Sequence, residues 1–193
     1  MPPQITGLIL THGFDPAEAF HQYLLERLAQ TLKAFAPELI VATPNPKHFL
    51  HLDALVVKST GEAPGQLSEL HAGLFHADQP LVLVVGAGQP LVRHEILQTL
   101  LKRVAPGLDI IAPAPAAGIS PFPAIYATAC QKRLANMLSQ GRSGFEPLFK
   151  KARMKVVSEK VLRQNDPELI SFLNLGRSGD VDKIRKWVDA HPL

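Results

Sequence analysis

Two short segments combine glycine with polar side chains immediately after an apolar run: Leu10-Thr11-His12-Gly13 and Gly86-Ala87-Gly88-Gln89. Glycine lets main-chain N–H groups approach a ligand closely, and oriented amides with a nearby cation offset the charge of a phosphate. Leu10, Thr11, His12, Gly13, Gly86, Gly88 and Gln89 are therefore candidate substrate-binding residues. His12 offers an imidazole at that edge. A third segment, Arg142-Ser143-Gly144, can contact an anion, although the cap of a helix followed by a turn explains it equally well. No residue is read as catalytic and none as a metal ligand.

Other constellations are weaker. Val84-Val-Gly-Ala-Gly88 imitates a dinucleotide-binding fingerprint, but the third glycine position is Leu91 and Pro90 interrupts the helix start. Asp109 opens its strand, whereas an acidic residue must sit at a strand end to reach a ribose. Ser120, Ser143 and Ser178 lie in turns without an elbow sequence, so no nucleophilic triad is read. Asp180 and Asp182 complement the dipole at a helix start. The eight histidines show no metal-ligand spacing. Leu10-Thr-His-Gly13 does resemble the strand end of sirohydrochlorin-type chelatases, which implies a metal- or tetrapyrrole-handling alternative built on His12, with His71 or His76 as companions.

The elements that must position these segments follow from pattern. Ile5–Leu10 and Leu81–Val85 are apolar without alternation, as strands buried on both faces are. Asp15 and Pro16 predict a helix start, with Phe20, Leu24, Leu28 and Leu32 on one face to about Phe35. Strands are expected over 39–42 and 54–57, with a short helical turn around 47–52 and a loop over 59–66. A helix carrying Leu67, Leu70, Leu74 and Phe75 on its buried side follows. Another runs from about 92 to 104, and a strand covers 108–111. The tract 112–118 reads as an extended surface loop, and Pro121–Tyr126 as an edge strand, since proline cannot donate to a ladder. A helix over 128–140 ends at Gly141 as a left-handed cap. A short helix over 145–152, strands over 154–157 and 168–174, and a helix over 180–190 complete the chain. Strands alternating with helices imply right-handed crossovers and a mostly parallel sheet.

Composition narrows the classes. Aromatics are only 6% against 46% hydrophobic residues, so the core is built from Leu, Val, Ile and Ala. Net charge is +3, with the basic excess over 132–163 and 177–186. That excess suits an anionic ligand or simply a solvated face. No zinc-knuckle spacing, aromatic-interleaved basic strand or heptad run points to nucleic acid. A single cysteine, Cys130, forbids an internal disulfide and fits a reducing cytoplasm; its apolar setting reads as packing. No run is long enough to span a bilayer, and no signal peptide is read. Residues 1–193 are expected to form a single domain.

The order of elements and several strings resemble the molybdenum cofactor guanylyltransferase family. Those enzymes have a nucleotidyltransferase fold and join a guanylate from GTP to molybdopterin using magnesium. The similar strings are Ile5–Leu10, Leu67–Phe75, Leu81–Pro90, Pro123–Tyr126 followed by Leu134, Leu138, Gly141 and Arg142, and Glu168–Asn174. The resemblance implies a three-layer α/β nucleotidyltransferase-type (Rossmann-like) domain with a central, mostly parallel sheet. It places Arg142 on a pterin side and adds Asn174 and Gly176, from the closing Asn-x-Asn-Thr-Pro segment, to the binding residues. A nucleotide or molybdopterin ligand, and a molybdoenzyme or cofactor-biosynthesis protein as partner, are likewise implied.

The departures fall at the active-site edge. The family's glycine-rich phosphate loop is reduced to Thr11–Asp15, with no lysine or arginine before Arg27. Gly88 stands where the family has its magnesium aspartate. The second asparagine of the closing motif is Gly176, and Arg177-Ser178 replaces Thr-Pro. Glu69 occupies a position that is usually small, near the guanine pocket. The expectation is a diverged relative without GTP transfer and without a cofactor; the alternative is an active transferase with replacement ligands.

Overall fold

The computed structural model describes residues 4–59, 65–115 and 118–191. Seven strands form one sheet: β1 Ile5–Leu10, β2 Leu39–Thr43, β3 Leu55–Lys58, β4 Leu81–Gly86, β5 Ile110–Ala114, β6 Ala124–Ala127 and β7 Met154–Ser158. Their spatial order is β3-β2-β1-β4-β6-β5-β7. β6 runs antiparallel to both β4 and β5, while the other neighbouring pairs are parallel. The mostly parallel sheet read from the alternation of elements is therefore present.

Helices cover both faces: α1 Ala19–Lys33, α2 Gln66–His76, α3 His94–Leu101, α4 Cys130–Ser139, α5 Glu146–Lys151, α6 Glu159–Leu162 and α7 Ser178–Ala190. Alternation along each strand explains the two cores. Ile9 and Val85 face a cluster with Leu28 of α1 and Ile96 of α3. Leu8 and Val84 face the opposite cluster, with Leu70 of α2 and Leu134 of α4. β1 and β4 are thus apolar on both sides because helices pack on both sides. α7 docks on α1 through Ile184, Val188 and Leu24. No helix among the described residues is long and apolar enough to cross a membrane.

Several expectations are corrected. β6 is interior, not an edge strand: Pro121 and Pro123 precede its paired residues, so no ladder donor is lost. Part of the proposed loop at 112–118 is strand, since β5 continues to Ala114 along β7. Pro113 is accommodated there because pairing with β6 ends at Ile111. Residues 116–117, like 60–64 of the loop expected at 59–66, lie outside the described residues. The final strand at 168–174 is instead a 3-10 turn, Ile170–Phe172. The Asp166 carboxylate accepts from the N–H groups of Ile170 (3.1 Å) and Ser171 (2.9 Å), coiling an apolar run that would otherwise read as extended. α1 begins at Ala19, not at Pro16, because Asp15 accepts from Ala17 N–H at 2.9 Å and closes a separate turn first. Phe75, expected inside, is 66% exposed. Gly141 does cap α4 at φ 67°. Cys130 is buried, and burial pushes its thiol up to about 11, in keeping with packing.

α2 approaches the sheet so closely that only glycine fits at one point. A Cβ on Gly73 would lie 2.3 Å from Leu8 Cδ2, and Leu8 is fully buried. Gly73→Ala should therefore cost about 1–3 kcal/mol through overpacking, despite alanine's better helix propensity. Urea unfolding should show a lower midpoint at an unchanged slope.

Candidate functional site

β1 and β4 pair in register from Ile5↔Leu81 to Leu10↔Gly86, so they end at the same level. Just beyond them, Ala87 N–H donates to Leu10 O at 2.8 Å and Thr11 N–H to Ala42 O at 3.3 Å. This is the carboxyl edge of the sheet, where ligands bind in open α/β folds. A cleft of ≈ 280 Å³ opens there, with His12, Gly13, Gly86, Gly88, Gln89, Asn174 and Gly176 in its wall. Residues separated by more than 160 positions are brought together.

The other candidates are placed differently. Leu10 is buried and reaches the edge only through its carbonyl. Thr11 lines a second hollow on the far side of His12. Arg142 is not in the cleft; it lines a separate hollow with Arg133 and Lys151 between α4 and α5. Arg177, Gln66, Ser120 and Phe122 join the wall without having been expected there. Arg177 had a signal, because it directly follows Gly176 in a segment already singled out. The other three depend on chain folding that no local pattern reveals.

The loops are fastened by the turn after the 3-10 segment. Leu175 N–H donates to Gly88 O at 2.8 Å, and Asn174 Oδ1 accepts from Gly176 N–H at 2.8 Å. That same oxygen lies 3.3 Å from where a Cβ on Gly88 would be, and 3.1 Å from a Cβ on Gly176. Asn174 N–H donates in turn to Asp180 Oδ2 at 3.0 Å. Gln89 Oε1 is buried with no hydrogen-bond partner among the described residues, leaving an acceptor at the cleft.

Among the described residues in the cleft wall there is no carboxylate. Magnesium takes hard oxygen ligands, usually with one or two carboxylates. Beside Gly88 the oxygens are amides, and those of Gly88 and Asn174 already accept hydrogen bonds. Among the described residues, no group of three or more His, Cys, Asp or Glu side chains is placed to hold a metal. His71, a possible companion of His12, instead meets Gln131 Nε2 at 2.8 Å.

Glu69 lies beneath the cleft wall and is completely buried. Its Oε2 accepts from His12 N–H at 2.9 Å and its Oε1 from the Thr11 hydroxyl at 3.3 Å. Burial without a cation raises its pKa to about 7, although those hydrogen bonds oppose the shift. The unfolded chain ionises near 4.5, so stability falls as pH rises from there to about 7 and stays reduced above. Glu69→Gln keeps the shape and removes the charge. It should equal wild type near pH 4 and exceed it by roughly 3 kcal/mol at pH 8, judged by urea unfolding at both values.

Comparison with known proteins agrees with this architecture. The chain is 25% identical over 195 residues to the molybdenum cofactor guanylyltransferase of Desulfosudis oleivorans, covering 96% of each. It superposes on molybdopterin-guanine dinucleotide biosynthesis protein A from Archaeoglobus fulgidus with a TM-score of 0.76 at 18% identity, covering 96% of this chain and 100% of that one. A nucleotidyl transferase from Methanothermobacter thermautotroptrophicus gives a TM-score of 0.71 at 17% identity, over 97% and 98% of the two chains. These two likenesses establish the nucleotidyltransferase-type α/β fold. Residues 18–156 match the MobA-like NTP transferase domain, and this chain belongs to that family.

Proposed function

We propose that this protein is a diverged molybdenum cofactor guanylyltransferase-like protein that keeps the family's crevice but has lost GTP transfer. The observation that carries the reading is the filling of the space beside Gly88. No carboxylate is among the described residues in the cleft wall, and the first carbon of a side chain at 88 would come within 3.3 Å of Asn174 Oδ1. Charge developing on a transferred phosphate therefore lacks the ion that normally stabilises it. The loop from Thr11 to Asp15 adds to this, since it contains no lysine or arginine to share a triphosphate's charge.

Binding, in contrast, keeps its supports. His12 and Arg177 supply cationic or donor groups, Gln89 Oε1 an unmet acceptor, and Gly86 and Gly88 room for close approach. A heterocycle with ring N–H donors and a phosphate fits that set of groups. A pterin or nucleotide is accordingly the ligand proposed, with a molybdoenzyme or cofactor-biosynthesis protein as the partner it serves.

Calorimetric titration with GTP should give the same weak binding heat with and without magnesium, and an assay with molybdopterin should show no guanylate transfer. A micromolar, magnesium-dependent signal accompanied by transfer would overturn the reading and establish an active enzyme using replacement ligands.

A further inference from the structure

Glu69 is the buried acid that this function does not use. Its surroundings assign it one. The cleft beside Gly88 and a second hollow of ≈ 330 Å³, bounded by Phe14, Thr43, Asn45 and His48, both include His12 and Gly13 in their walls. That two-residue segment is the partition between them. Its fastenings are Phe14 N–H to Thr11 O at 2.9 Å, Thr11 N–H to Ala42 O at 3.3 Å, and the two hydrogen bonds to Glu69. Gly13 sits at φ 76°, a left-handed conformation that glycine both adopts and leaves readily.

We propose that Glu69 is a latch: its carboxylate holds the partition down and takes the His12 N–H that a phosphate-bearing ligand would otherwise receive. Carboxylate and phosphate are alternative acceptors for that donor, and oriented main-chain N–H groups bind either. No ion pair ties Glu69 to a cation among the described residues, so the bonds its release breaks run to neutral donors, among them the Thr11 hydroxyl and the His12 amide. With the latch open, His12 and Gly13 swing aside and the two hollows become one groove. The inference rests on the reading of the cleft as a ligand site.

Two variants and one control separate the possibilities. At pH 8, where Glu69 is ionised, the His12 amide of Glu69→Ala should exchange with deuterium at least about tenfold faster than in wild type, the loss expected for a hydrogen bond to a charged group. Leu8 and Val84, on the core strands, should keep wild-type exchange. Thr11→Ala, which removes only the hydroxyl donor, should accelerate His12 exchange by a smaller factor, about threefold. Equilibrium dialysis with GMP should show Glu69→Ala binding at least about tenfold more tightly than wild type. Unchanged His12 exchange in both variants would overturn the latch, and so would faster exchange without tighter GMP binding. Arg177→Ala in the Glu69→Ala background addresses the cleft itself. If tightened GMP binding is indifferent to Arg177, the ligand lies elsewhere and the cleft reading fails while the latch survives.

Discussion

The parallel pairing of β1 with β4 is the constraint on which the site depends. Six residues of each strand run in register at the centre of the sheet, buried on both faces by two separate helical layers. Each fully buried aliphatic side chain in such a pair contributes on the order of 1.5–3 kcal/mol, so slippage by one residue is not affordable. Because the strands end level, the turns after Leu10 and Gly86 face each other. A hydrogen bond from Ala87 to Leu10 then holds them there. Neither loop needs internal rigidity to be well placed.

On that base, a single amide oxygen joins features that look independent along the chain. Gly88 and Gly176 each read as a lost side chain in a separate motif. In space both lie against Asn174 Oδ1, and the Leu175 N–H bond to Gly88 O closes the contact. The asparagine approaches both positions closely because neither carries a Cβ. Glu69 does something comparable on the other wall, filling a position beneath Thr11 and His12 with its own carboxylate. The crevice is shaped on both walls by polar groups that reach across from other segments of the chain.

Much of this was legible because it was local. The central strands announce themselves as unbroken apolar runs, and a glycine loop after such a run marks the carboxyl edge. The errors arose where tertiary partners decide. Pro121 and Pro123 suggested an edge, yet only residues after them enter the ladder. The apolar run 168–174 looked extended until the Asp166 carboxylate is seen coiling it. Arg142 and Arg177 are equivalent as residue types, and only the packing of α4, α5 and α7 determines which reaches the cleft. The scaffold resemblance extends over nearly the whole chain and agrees with the family to which it belongs.

The close approach around Asn174 also couples positions 88, 174 and 176. An acidic side chain introduced at position 88 would point its first carbon at an amide oxygen already committed to Gly176. Any side chain there would need the 174–176 turn to give by a few tenths of an ångström. Contacts this close make the effects of substitutions at 88, 174 and 176 interdependent. The turn therefore joins three positions from two distant segments of the chain into one unit of variation.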